Sequence, residues 1–207
     1  MQTVRRCMGL LALLLLVPRL GAQPVVDPRP VILAVGESTT AGYGVPADQS
    51  YPAQLQQLLD AQGFAYRVVN HGRSGSTVAM ALAGLDRGLR LQPAIVLIAI
   101  GGNDAGNRVA VERTEQQLRK LVGLFVRTGA SVYLADRQSE TDGGRAQDVS
   151  LYARVARAEG AKLMPSLRDG IAGEPSLLIA DGRHPNAEGY AIIARRLFDL
   201  LAPQLQR

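Results

Sequence analysis

Few side chains in this sequence could serve as a nucleophile with an attendant base. Beyond residue 22 there are two histidines, His71 and His184, and no cysteine. A serine hydroxyl is a weak nucleophile unless a base removes its proton, and that base needs a third group to fix its tautomer. Ser38 follows an apolar run that stops at Gly36, where a strand gives way to a sharp turn, and is a candidate nucleophile. Asp181 precedes His184 by three residues. A tight turn there would let the carboxylate accept from one ring nitrogen while the other faces a serine. A histidine ahead of a helix is, taken alone, more often a surface residue. The chemistry therefore has to be sought in several segments at once.

Four segments stand out: GESTT at 36–40, NHGRSGS at 70–76, GGND at 101–104 and DGRHPN at 181–186. The first three follow apolar runs, and the last precedes an amphipathic stretch. Apolar strands are expected at 31–35, 66–70, 94–100 and 130–135, with a short fifth at 161–164. Helical spacing of apolar residues marks 51–62 (Leu55, Leu58, Leu59), 78–91 and 111–128 (Leu118, Leu121, Val122, Phe125). It also marks 149–158 and about 186–201 (Ile192, Ile193, Leu197, Leu200). The strands are apolar throughout rather than at every second place, as befits a sheet covered on both faces. The expected fold is α/β, a single-domain three-layer α/β/α sandwich on a mainly parallel sheet of about five strands. In such sheets sites form beyond the carboxyl ends of the strands, where these segments fall.

Of 207 residues, 23 are basic and 18 acidic, a net charge of +5 that invites a nucleic-acid partner until the charges are located. Arg5, Arg6 and Arg19 lie in the first 22 positions, which hold no acid, and Cys7 opens an eleven-residue apolar run there. That run is too short to span a bilayer and reads as an export signal with its cut after Ala22. The expected organisation is a signal peptide over 1–22, a Pro-punctuated lead-in over 23–30 and one domain over 31–207, periplasmic or secreted. Without the leader the balance is 20 basic to 18 acidic, with no cysteine for a disulfide. The charge then gives no support to a nucleic-acid partner, and no later segment is long and apolar enough for a membrane span.

Taken together, the four segments resemble the SGNH hydrolases, also called GDSL-type esterases and lipases. Gly36-Glu37-Ser38 in ILAVGESTTAGYGV is similar to the family's first block and Gly75 in VVNHGRSGST to its second. Gly101-Gly102-Asn103-Asp104 is similar to the third, and Asp181 to His184 in DGRHPNAEGY to the fifth. The likeness runs from Val31 to the final helix and is greatest to the bacterial arylesterase, thioesterase and lysophospholipase group. It implies a flavodoxin-like fold, Ser38 as nucleophile, His184 as base and then acid, and Asp181 as the group orienting it. It implies an oxyanion hole made by the Ser38 N–H, the Gly75 N–H and the Asn103 amide, with no metal or organic cofactor. The implied substrates are small-molecule or lipid esters, with thioesters and lysophospholipids among them. A deacetylase of envelope glycans and a weakly active binding protein on the same scaffold are the alternatives.

The sequence departs from the family pattern at Glu37, where aspartate is usual, and over 136–148, which is polar and lacks the Leu-Pro segment of long-chain thioesterases. The second departure argues against a fatty-acyl preference, and nine aromatics in the whole chain offer no evident sugar platform. His71 reads as a packing or capping residue, and Asp104 as a turn or helix-entry residue rather than a metal ligand. Asp136, Glu140 and Asp142 read as a solvated loop. Gly42 and Gly44 with Ala47 fit a dinucleotide fingerprint, but Gly42 is seven residues past Val35 and Pro46 interrupts the helix start that would bind a pyrophosphate. Thr40 occupies the last position of the G-x-S-x-G elbow, which excludes that motif.

Overall fold

The computed structural model describes residues 27–137 and 150–206. The expected leader, the first half of the lead-in and most of the polar 136–148 stretch lie outside the described residues. Strand β1 (Val31–Gly36) leads into a one-turn helix α1 (Ser38–Ala41), then α2 (Tyr51–Ala61) and β2 (Arg67–Gly72). Two short helices, α3 (Val78–Ala83) and α4 (Leu85–Leu89), precede β3 (Ile95–Ala99), a short α5 (Gly102–Gly106) and the long α6 (Val111–Val126). Strand β4 (Ser131–Ala135), α7 (Leu151–Glu159), β5 (Lys162–Met164) and α8 (Ala187–Leu201) complete the order.

The five strands are all parallel, in the order β2-β1-β3-β4-β5. Every residue of β1 is buried, because helices cover both faces of the sheet. Side chains alternate across a strand, so Ile32 and Ala34 enter one core layer while Val31, Leu33 and Val35 enter the other. The first layer packs on Leu55 and Leu59 of α2 and on Tyr190, Ile193 and Leu197 of α8. The second packs on Leu118, Leu121 and Phe125 of α6 and on Tyr152 and Val155 of α7. This is the three-layer sandwich expected from the uninterrupted apolar strands.

Three local differences bear on the site. The helix expected over 78–91 breaks at Gly84, which ends α3 and precedes α4; glycine is the weakest non-proline residue in a helix interior. Strand β2 runs on to Gly72, with His71 opposite Val35 and Gly72 opposite Gly36. Helices α1 and α5 have no signal in the sequence, since one turn of four or five residues carries no readable period. Reversal of the winding direction about β1 and β3 opens a crevice at their carboxyl ends, the usual site position in this topology.

Candidate active site

Strand β1 carries the chain to Gly36, and Ser38 begins α1 directly beyond it. Close approach of neighbouring backbone sets this turn. A side chain on Gly36 would place its Cβ 2.6 Å from the Ala99 carbonyl oxygen, and one on Gly72 would place it 2.3 Å from the Ala41 nitrogen. Two glycines thus let α1 lie against β2 and β3. The turn is closed by the Ala41 N–H donating to Glu37 O at 2.9 Å and the Tyr43 N–H donating to Ser38 O at 3.0 Å. Tyr190 of α8 holds its far side, its hydroxyl donating to Tyr43 O at 3.1 Å.

On the opposite wall the chain between the short 3-10 helix Pro175–Leu177 and α8 folds back on itself. Leu178 bridges Pro185 in antiparallel fashion, and the Ile179 N–H donates to His184 O at 2.9 Å. At its tip the Asp181 Oδ1 accepts the backbone N–H groups of Arg183 and His184 at 2.9 and 3.0 Å. Asn186 then caps α8 by accepting the Gly189 N–H at 3.0 Å. The tight turn expected from the three-residue spacing is therefore present, built by the aspartate itself.

Its result is a linear relay. His184 Nδ1 lies 2.6 Å from Asp181 Oδ2, and His184 Nε2 lies 2.8 Å from Ser38 Oγ. The His184 backbone N–H, then its ring and the Arg183 N–H hold the Asp181 carboxyl well below the usual carboxylate range. An ionised carboxylate can only accept, so Nδ1 carries the imidazole proton and Nε2 is left to accept from the Ser38 hydroxyl. The ring of Tyr43 lies 4.6 Å from that of His184, tilted by 47°, and is half exposed. Nothing in the sequence marks Tyr43 as a site residue, since its neighbours Gly42 and Gly44 fit only the rejected nucleotide motif.

The other two segments line the crevice beyond β2 and β3. Gly75 is exposed and has φ of 76°, a left-handed conformation that glycine adopts without strain. Among the described residues neither the Ser38 N–H nor the Gly75 N–H has an acceptor. Asn103 differs: its amide donates to Glu37 Oε2 and to Ser76 O, the latter at 3.0 Å. Glu37 Oε1 accepts from the Gly102 N–H at 3.0 Å and from Arg137 Nη1 at 3.3 Å, and its Oε2 from the Asn103 N–H at 3.1 Å. Burial pushes the Glu37 carboxyl up, while Arg137 and the two backbone N–H groups pull it back. The only sequence signal for Arg137 is its place directly after β4, which is a site position in this topology.

Asp104 is 1% exposed, and its Oδ2 accepts the Val78 N–H at 3.0 Å. It fastens α5 to the start of α3, and so joins the loop bearing Asn103 to the one bearing Gly75. His71 stays in β2 and takes no part in the relay. Among the described residues no three acidic, histidine or cysteine side chains group as metal ligands, and no helix is long and apolar enough to cross a membrane. Glu140 and Asp142 lie outside the described residues, and Gly42 ends α1 rather than opening a nucleotide-binding helix.

Residues 34–192 match the GDSL-like Lipase/Acylhydrolase family. The esterase TesA of Pseudomonas aeruginosa is 33% identical, over 95% of this chain and 96% of its own length. The protein of Escherichia coli strain K12 named thioesterase 1/protease 1/lysophospholipase L1 is 30% identical, over 84% of this chain and 83% of its own. Among solved structures, the psychrotrophic esterase EstA of Pseudoalteromonas sp., inhibited by monoethylphosphonate, superposes with a TM-score of 0.76. It is 25% identical and covers 84% of this chain and 97% of its own.

Proposed function

The chain belongs to the GDSL-like lipase/acylhydrolase family and is a serine hydrolase acting on ester bonds, and from that premise we propose Ser38, His184 and Asp181 as its catalytic triad. The observation that carries this reading is the Ser38–His184–Asp181 relay, with both links at 2.8 Å or less. His184 Nε2 takes the Ser38 proton as Oγ forms a bond to the ester carbonyl carbon. The resulting imidazolium is stabilised by Asp181, and the carbonyl oxygen becomes an oxyanion. His184 then returns the proton to the departing alkoxide oxygen as the carbon–oxygen ester bond breaks, leaving an acyl group on Ser38. Water, deprotonated in turn by His184, releases the acid and restores the serine.

The oxyanion would be met by the unpartnered N–H groups of Ser38 and Gly75, with the Asn103 amide as a third donor. Substrates would be carboxylic esters of modest acyl length. The names of the relatives support extending the class to thioesters and lysophospholipids. The apolar run with its flanking arginines supports export, with the folded domain spanning 31–207.

A p-nitrophenyl ester series of increasing chain length, run beside Ser38→Ala, tests the reading. Turnover should be greatest on short acyl chains and lost in the variant, and a serine-reactive phosphonate should label only the wild type. Equal labelling of Ser38→Ala would remove Ser38 as nucleophile.

A further inference from the structure

The three groups available to meet an oxyanion are not in the same condition. The backbone N–H groups of Ser38 and Gly75 have no acceptor among the described residues. The Asn103 amide has two hydrogens, and both are already donated inside the protein, one to Glu37 and one to Ser76 O. Of these acceptors the carboxylate is the stronger, because a charge-assisted hydrogen bond is roughly twice as strong as a neutral one. Nor is that carboxylate free to swing away. It is 7% exposed and held by the Gly102 N–H, the Asn103 N–H and Arg137 Nη1. An oxyanion forming at Ser38 would have to compete for the amide with an anion already bound to it.

We propose that Glu37 withholds the Asn103 amide, so that the oxyanion hole works mainly through the Ser38 and Gly75 N–H groups and Glu37 acts as a positioning residue that limits the third donor. This rests on Ser38 being the nucleophile. It also gives a physical consequence to the length of the side chain at position 37. One methylene less would draw the carboxylate back from the amide while leaving an acceptor near the backbone N–H groups of α5.

A double-mutant cycle on p-nitrophenyl acetate tests it, using Glu37→Asp, Asn103→Ala and the pair. Glu37→Asp should raise kcat several-fold with KM unmoved. Asn103→Ala should lower kcat by less than about tenfold in the wild-type background. With Glu37→Asp present, it should cost on the order of a hundredfold, the usual loss for a working oxyanion donor. An equal cost of Asn103→Ala in both backgrounds, or a folded Glu37→Asp protein with lower kcat, overturns the proposal. Should Glu37→Asp fail to fold by circular dichroism, Glu37→Gln carries the same cycle. It keeps the length but loses the charge, and the same growth in dependence on Asn103 is expected. Ser38→Ala separates the two levels. If it stays active the serine reading itself fails, whereas an inactive Ser38→Ala beside an additive cycle overturns only the role of Glu37.

Discussion

Replacing Gly72 by alanine would probe how the nucleophile is positioned without touching any reacting group. The backbone at Gly72 suits any residue, so only space is at issue. The added Cβ would stand 2.3 Å from the Ala41 nitrogen, 2.6 Å from the Thr40 carbonyl carbon and 2.8 Å from Thr40 Cβ, where ordinary contact begins at 3.4 Å. Two of these atoms are backbone, so helix α1 must retreat from β2 by roughly 1 Å. Overpacking of this kind costs about 1–3 kcal/mol. In a domain of this length each kcal/mol lowers Tm by about 2–4 °C. Because α1 begins at Ser38, the 2.8 Å contact of its Oγ with His184 would be disturbed as well. A misplacement of about 1 Å can lower a rate on the order of a hundredfold. The expected result for Gly72→Ala is a Tm lower by about 2–12 °C and a fall of about a hundredfold in kcat/KM on p-nitrophenyl acetate. Gly84→Ala is the control, since the nearest atom to its added Cβ is 3.7 Å away. It should leave the rate alone. A Gly72→Ala protein with wild-type Tm and a rate within about threefold of wild type would show that α1 is not held by this approach.

Asp181→Asn should lower kcat by a thousandfold or more, because the amide no longer compels the Nδ1 tautomer or stabilises the imidazolium. Its effect on stability also has a sign: a carboxyl held below its ordinary value of 3.8 contributes stability present above that value and lost as the pH falls further. The urea midpoints of wild type and Asp181→Asn should therefore still be separated at about pH 5, and converge only below about pH 4. Convergence already complete by pH 5 would contradict this. Tyr43→Leu should lower kcat by about three- to tenfold through loss of the ring against His184, and Tyr43→Phe should restore it, since aromatic pairs contribute about 0.5–1.5 kcal/mol. A melt checks that both variants fold. Asp104→Ala strands the buried Val78 N–H and should cost about 1–3 kcal/mol by urea titration.

The alternation of apolar runs with amphipathic stretches settled the layers and the parallel sheet, because burial on both faces leaves a strand no polar side. Residue type and spacing also brought out Ser38, Asp181 and His184. An aspartate three residues before a histidine can close a turn on its own backbone N–H groups, and this one does so. That part was local chemistry, legible in a string of letters. The condition of Asn103 was not, for it depends on a carboxylate 66 residues away and on an arginine 100 residues from that carboxylate, contacts that exist only once β1, β3 and β4 lie side by side. The same holds for Tyr43, brought against His184 only when α8 and the turn before it pack on α1. The sequence by itself determined which chemistry the chain carries, since periodicity and turn-forming residues act over a few positions. The tertiary structure alone decided which donors are free and which are held, because hydrogen bonds between distant segments arise from packing.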